Sequence, residues 1–103
     1  MKNEGAAAKP VMGITMEKID PMLRMEIERL ASLARTDEEI DLLIRTRMEI
    51  NPSERAEIEK RGGKIGSVIG DILTVRIEAG AVLEIADLEF VVSIEKAKRL
   101  RLK

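Results

Sequence analysis

A two-layer α+β domain, built on a four-stranded antiparallel sheet with one further helix in front, is what this sequence predicts. Three observations carry the expectation. Proline stands directly behind a capping residue at two places, "DP" at 20–21 and "NP" at 51–52, as it does where helices begin. Short runs of branched aliphatics alternate with polar residues at the two-residue period of half-buried strands. A Gly-Asp pair at 70–71 divides the longest of these runs, as a hairpin turn would.

Each element follows in order. "KIDPMLRMEIERLASLART" reads as an amphipathic helix, expected over 17–36, with Asp20 capping and Pro21 at the first helical position. Ile19, Leu23, Ile27, Leu30 and Ala34 form its apolar stripe, and Arg24, Glu28 and Arg35 fall on the other side. "TDEE" breaks the pattern. "IDLLIRTR" then reads as a strand with Leu42, Ile44 and Thr46 on one side and Leu43, Arg45 and Arg47 on the other, although so short a run also allows a helical continuation. "NPSERAEIEKRGG" is a helix marked at both ends. Asn51, Pro52 and Glu54 compose a capping box, and Gly62 offers the left-handed stop. Its apolar side is thin, Ala56 and Ile58 with the stem of Arg55.

"KIGSVIGDILTVRIEA" reads as two strands joined at "GD", the second with Leu73, Val75 and Ile77 inward. "GAVLEIADL" is a third helix, with Val82, Leu83, Ile85 and Ala86 on its apolar side. "FVVSIEKA" closes as a strand, with Phe90, Val92 and Ile94 expected inward and Val91, Ser93 and Glu95 outward. From residue 41 the order is β-α-β-β-α-β, so residues 41–103 predict a ferredoxin-like sandwich with two helices on one sheet face. Residues 1–16 are expected to be a flexible tail.

Composition narrows the function. The 103 residues are 45% apolar and 36% charged with a formal net charge of −1. That is too apolar for a disordered chain, and a chain of this length buries roughly 60–70% of its unfolded surface in one small core. No apolar run approaches the ~18 residues of a membrane helix, so a membrane is not an expected partner. The opening "MKNEGAAAKPVMG" holds no hydrophobic block of signal-peptide length. Cysteine and histidine do not occur, which excludes disulfides, thiolate nucleophiles, Cys/His zinc sites and Ser-His-Asp triads. A single Phe with no Trp or Tyr leaves no platform for stacking bases, and the charge lacks a basic footprint, so nucleic acid is not expected either. Catalysis, metals and cofactors are likewise not expected.

Four features invite a functional reading. The glycines around "GGKIG" follow a helix and precede a strand, and Lys64 is followed by Ile65. A phosphate loop needs the opposite order, with Lys followed by Ser or Thr, and the GxxG loop of KH domains joins two helices. These glycines therefore read as structural: a helix stop at Gly62 and Gly63, a relief or bulge at Gly66, a hairpin at Gly70 and a helix start at Gly80. Asp37, Glu38, Glu39 and Asp41 could gather a hard cation, but no calcium-loop spacing is present, and a solvated surface fits better.

The basic end "KAKRLRLK" carries Lys96, Lys98, Arg99, Arg101 and Lys103 around Leu100 and Leu102. It reads either as a charged extension guarding a sheet edge or as a strand added to another protein's groove. The sheet's uncovered face would present Arg45, Arg47, Thr74, Arg76, Ser93 and Glu95, with Leu43, Ile72 and Val91 between them. Such a mixed apolar and arginine-rich surface suits an interface, while an antiparallel sheet can also face water.

Taken together, "KIDPML", "IDLLIRTR", "IEKRGGKIGSVIGDILTVRIEAG" and "LEIADLEFVVSIEKAKRLRL" resemble the propeptide-like N-terminal domain of bacterial subtilisin-like serine peptidases, over residues 17–103. The resemblance implies a ferredoxin-like intramolecular chaperone and temporary inhibitor. Its sheet face packs on the catalytic domain, and its C-terminal tail enters the substrate cleft. By position it implies Arg45, Thr74, Arg76, Ser93 and Glu95 as face contacts and Leu100, Arg101, Leu102 and Lys103 as the tail. The expected partner is then a subtilisin-like catalytic domain, in cis or in trans. A complete chain would act in the cytoplasm and an excised prodomain outside it. Two other readings remain open: a module that pairs with itself as a homodimer, and a small-molecule-sensing regulatory domain.

Overall fold

The structure is a computed structural model, and residues 17–97 are described. Residues 1–16 and 98–103, with the expectations placed on them, lie outside the described residues. Helix α1 spans Pro21–Ser32, β1 Glu39–Thr46, α2 Pro52–Lys60, β2 Lys64–Ile69 and β3 Ile72–Glu78. A 3-10 turn, Ala79–Ala81, leads into α3 (Val82–Ala86), and β4 is Val91–Lys96. The strands make one antiparallel sheet in the order β2-β3-β1-β4. Each half, β1-α2-β2 and β3-α3-β4, steps over one strand of the other, which is the ferredoxin-like arrangement.

The cap signals act as the chemistry predicts. The Asp20 carboxylate accepts from the backbone amides of Met22 and Leu23, at 3.0 and 3.4 Å. Asn51 and Glu54 form the reciprocal box, at 2.7 and 3.1 Å. Both helices also end in one motif. The residue after the C-cap turns left-handed, and the next amide reaches back five residues, Gly63 to the Ile58 carbonyl and Arg35 to that of Leu30. In α2 the left-handed residue is Gly62, at φ 95°; in α1 it is Ala34, at φ 57°. Ala34 therefore leaves the apolar stripe and ends the helix.

At its front, α1 is also shorter than 17–36, because Lys18–Asp20 serve the sheet. The Asp20 amide donates to the Ile94 carbonyl at 2.9 Å, and the Ile94 amide donates to the Lys18 carbonyl at 2.8 Å. This parallel bridge buries Ile19 against the outer side of β4. The Lys18 ammonium donates to the carbonyls of Ala86 and Leu88, at 2.9 and 3.0 Å, tying the end of α3 to the same strap. Burial pushes the pKa of Lys18 down, against the attraction of Asp87.

Leu42 and Ile44 of β1, Leu73, Val75 and Ile77 of β3, and Ile94 of β4 meet Leu23 and Leu30 of α1, Ile58 of α2, and Val82, Ile85 and Ala86 of α3 in one core. Each fully buried Leu or Ile contributes roughly 1.5–3 kcal/mol. Thr46, also on this side, is buried with its hydroxyl donating to the Met48 carbonyl at 2.7 Å.

Three expectations about facing are corrected. Val91 points inward and is 1% exposed, whereas Val92 is 44% exposed. A bulge is responsible: Arg45 pairs with Ser93 but Thr46 pairs with Val91, so Val92 is the extra residue. Ala56 is exposed, leaving Ile58 as the buried residue of α2. Leu83 is largely exposed, because α3 has only five residues and turns just Val82, Ile85 and Ala86 to the sheet.

Candidate protein-binding face

All three helices share the inner side of the sheet, and the other side carries no described element. Alternation along the strands decides what that bare side shows. From β1 it receives Asp41, Leu43 and Arg45, and from β3 Ile72, Thr74 and Arg76, since their neighbours fill the core. From β4 come Ser93 and Glu95, paired with Arg45 and Leu43. The face residues expected from sequence, Arg45, Thr74, Arg76, Ser93 and Glu95, thus lie on one surface. Leu100, Arg101, Leu102 and Lys103 lie outside the described residues. Val91 belongs to the core instead. Arg47 sits beyond the end of β1, 3.9 Å from Glu89.

Strand β2 adds Lys64, Ser67 and Ile69, which the sequence reading left unassigned. Strict alternation from Lys64 would send Ser67 and Ile69 inward. A bulge at Gly66 resets the phase, because Ile65 pairs with Val75 and Ser67 already with Thr74. Ile65 and Val68 are half-buried against the core, and Ile69 stands 77% exposed. The glycine was the one available signal, and it marked a bulge without telling which later residues change sides.

The cross-strand rows give the face its pattern. Ile69, Ile72, Arg45 and Ser93 lie in register across the four strands. The next row is Ser67, Thr74, Leu43 and Glu95, in which the two hydroxyls lie 3.1 Å apart and Thr74 Oγ1 accepts from the Ser67 amide at 3.0 Å. Lys64, Arg76 and Asp41 follow. Arg76 Nε donates to Asp41 Oδ1 at 2.8 Å, and Lys64 Nζ to Glu39 Oε2 at 3.0 Å. The hydrogen bond to Asp41 raises the pKa of the Arg76 guanidinium. The acidic cluster of the sequence is thus dispersed into separate pairs, with Glu38 on Arg35 at 2.7 Å. Among the described residues, no group of three or more His, Cys, Asp or Glu side chains could hold a metal ion.

Arg45 and Glu95 make no ion pair with a described residue. They flank Leu43, Ile72 and Ser93 around a shallow dip. The face therefore carries Ile69, Ile72 and the open cation Arg45 in its first row, Leu43 and the open anion Glu95 beside two hydroxyls in its second, and paired charges in its third, where Asp41, Lys64, Thr74 and Arg76 line a hollow of about 460 Å³. Among the described residues, no helix is long and apolar enough to cross a membrane. No family model, no curated protein and no solved structure matches this chain.

Proposed function

We propose that this chain is a non-catalytic protein-binding domain of the propeptide type, acting as chaperone and inhibitor of a subtilisin-like peptidase. One observation carries the reading: a sheet covered on one side only, whose bare side interleaves Leu43, Ile72 and Ile69 with Arg45, Thr74, Ser93 and Glu95. Apolar surface interleaved with arginine and other polar groups suits a protein interface. Arg45, Thr74, Arg76, Ser93 and Glu95 are the contacts on that face. Leu100, Arg101, Leu102 and Lys103, which come after β4 in the sequence, are the residues this reading assigns to main-chain bonds in the peptidase cleft. Because the sheet is already folded, little ordering entropy opposes its docking.

The test is inhibition of several subtilisin-like peptidases by the intact chain. Slow, tight inhibition is expected, weakened when the last four residues are removed. No inhibition of any of them at micromolar chain would overturn the proposal. Homodimerisation through the same face is the second reading, favoured by the exposure of Ile69. Light scattering over a range of concentrations separates the two.

A further inference from the structure

The two edges of the sheet are finished differently. At the β4 edge, the strap of Lys18–Asp20 bonds both the amide and the carbonyl of Ile94. At the other edge, no described residue pairs with the outer side of β2. Lys18 and Ala97, near the two ends of the described chain, both bond on the β4 side, with β1 and β3 between them and β2. The ladder decides which groups β2 offers, since backbone direction alternates along an antiparallel strand. Glu38 and Thr46 bond toward β3, through Ala79 and Asp71, so Ile40, Leu42 and Ile44 do too. Their β3 partners Ile77, Val75 and Leu73 turn toward β1, which leaves Ile72, Thr74 and Arg76 to bond Ile69, Ser67 and Lys64. Val68 and Ile65, opposite Leu73 and Val75, therefore turn their amides and carbonyls outward.

Edge strands that stay alone are guarded by charges, proline, bulges or a covering segment. Strand β2 has such guards only at its start, in Lys64 and the bulge at Gly66. Its regular end, Ser67–Ile69, carries no charge and no proline. Ile69 there is 77% exposed, the most of any large apolar side chain among the described residues. Val68 is half-buried at the margin of the core. Beyond them the hairpin turn presents Asp71, which is exposed.

We infer that this edge pairs with the same edge of a second copy, antiparallel, about a two-fold axis perpendicular to the sheet at Val68. Each Val68 then exchanges two backbone hydrogen bonds with the Val68 of the other copy, and their side chains extend the core margin across the join. On the bare side, Ile69 comes to lie beside Ser67 of the second copy, which covers its exposed flank. Gly66 is the extra residue of the bulge, so Lys64 stands three ladder positions from Val68 on one side, as Asp71 does on the other. The two-fold axis therefore sets Lys64 level with Asp71 of the second copy at both ends of the pairing. This charge complementarity is what favours a second copy as occupant, because an edge with like charges at its two ends would repel itself. The axis keeps both helix layers on one side and joins the bare sides into one surface. The inference does not rest on the peptidase reading, because the edge and the bare face are different surfaces.

Light scattering on the intact chain from micromolar to millimolar concentration, with amide hydrogen exchange on the same samples, tests it. The mass is expected to rise toward twice that of one chain, and exchange at the Val68 amide to slow as it does. Val68→Pro removes the outward amide and leaves the bonds to β3 in place, so it should weaken association about tenfold or more. Asp71→Lys, on the exposed turn, should also weaken it, and Lys64→Asp added to that variant should restore it. Leu43→Glu, on the bare face two strands away, should leave it unchanged, and Ile44 and Leu73 amides that stay protected show that each variant is folded. A single-chain mass at every concentration would overturn the inference. Association that survives Val68→Pro and fails with Leu43→Glu would overturn it too, by moving the contact to the bare face. So would protection of the Val68 amide that does not depend on concentration, which would place another part of the same chain on the edge.

Discussion

The two faces of the sheet are built from alternate residues of the same strands, and they follow different rules. In β1, Leu42 and Ile44 are fully buried beneath the helices, whereas Leu43 between them is half-buried and Arg45 is exposed. One side is bound by close packing, where the loss of a single methylene is felt. The other must only remain compatible with a strand, so its chemistry is free to serve a partner. Stability is concentrated on the first side, and the second is the side proposed for recognition.

The largest expected effect tests that division directly. Ile44→Ala removes a fully buried side chain and should cost about 2–5 kcal/mol in urea unfolding. Leu43→Ala, one residue away, should cost less than about 1 kcal/mol, as surface changes do. Equal losses would mean that the bare face is covered by something.

How much of this was legible follows the same line. The caps at Asp20 and at Asn51–Glu54 are local chemistry, so they could be read from neighbouring letters, as could the alternation in β1 and β3. The hairpin at Gly70, with φ 61°, was equally local. Where a feature depends on a distant partner, the letters fell short. Val91 and Val92 are identical side chains, and only the pairing with Arg45 and Thr46 decides which goes inside. The pairs Asp41–Arg76 and Lys64–Glu39 join residues 35 and 25 positions apart. The end of α1 was hidden for another reason, since Ala34 does by strain what Gly62 does freely, at a penalty of about 1–2 kcal/mol.

A second substitution sharpens the functional half of the comparison. Ile72→Glu places a charge among the apolar residues of the bare face. It should leave the unfolding midpoint nearly unchanged while weakening inhibition of a subtilisin-like peptidase about thirtyfold or more, the scale of an interface hot spot. Full inhibition by this variant would move the binding site off the face. A third uses the bulge. Val91→Ala should cost about 1.5 kcal/mol, two methylene equivalents removed from the core, and Val92→Ala close to nothing in the same urea assay. Reversal of that order would restore simple alternation and return Val91 to the outer face beside Ser93 and Glu95.

The smallest effect belongs to neither face of the sheet but to the solvent side of the helix layer, where charge stands in for packing. Arg29 hydrogen-bonds the Glu26 carboxylate at 2.8 Å and holds its pKa below the usual 4.5. A folded value below the unfolded one means that ionised Glu26 favours the fold. Its contribution is present above the unfolded value and is lost as pH falls through the folded one. A pair this exposed along a helix contributes little. Glu26→Gln should therefore lower stability slightly at neutral pH and lose correspondingly less than the parent chain on acidification to about pH 3. A variant that lost as much as the parent would show that the acid sensitivity arises elsewhere, with the Asp41–Arg76 pair of the bare face as the next place to look.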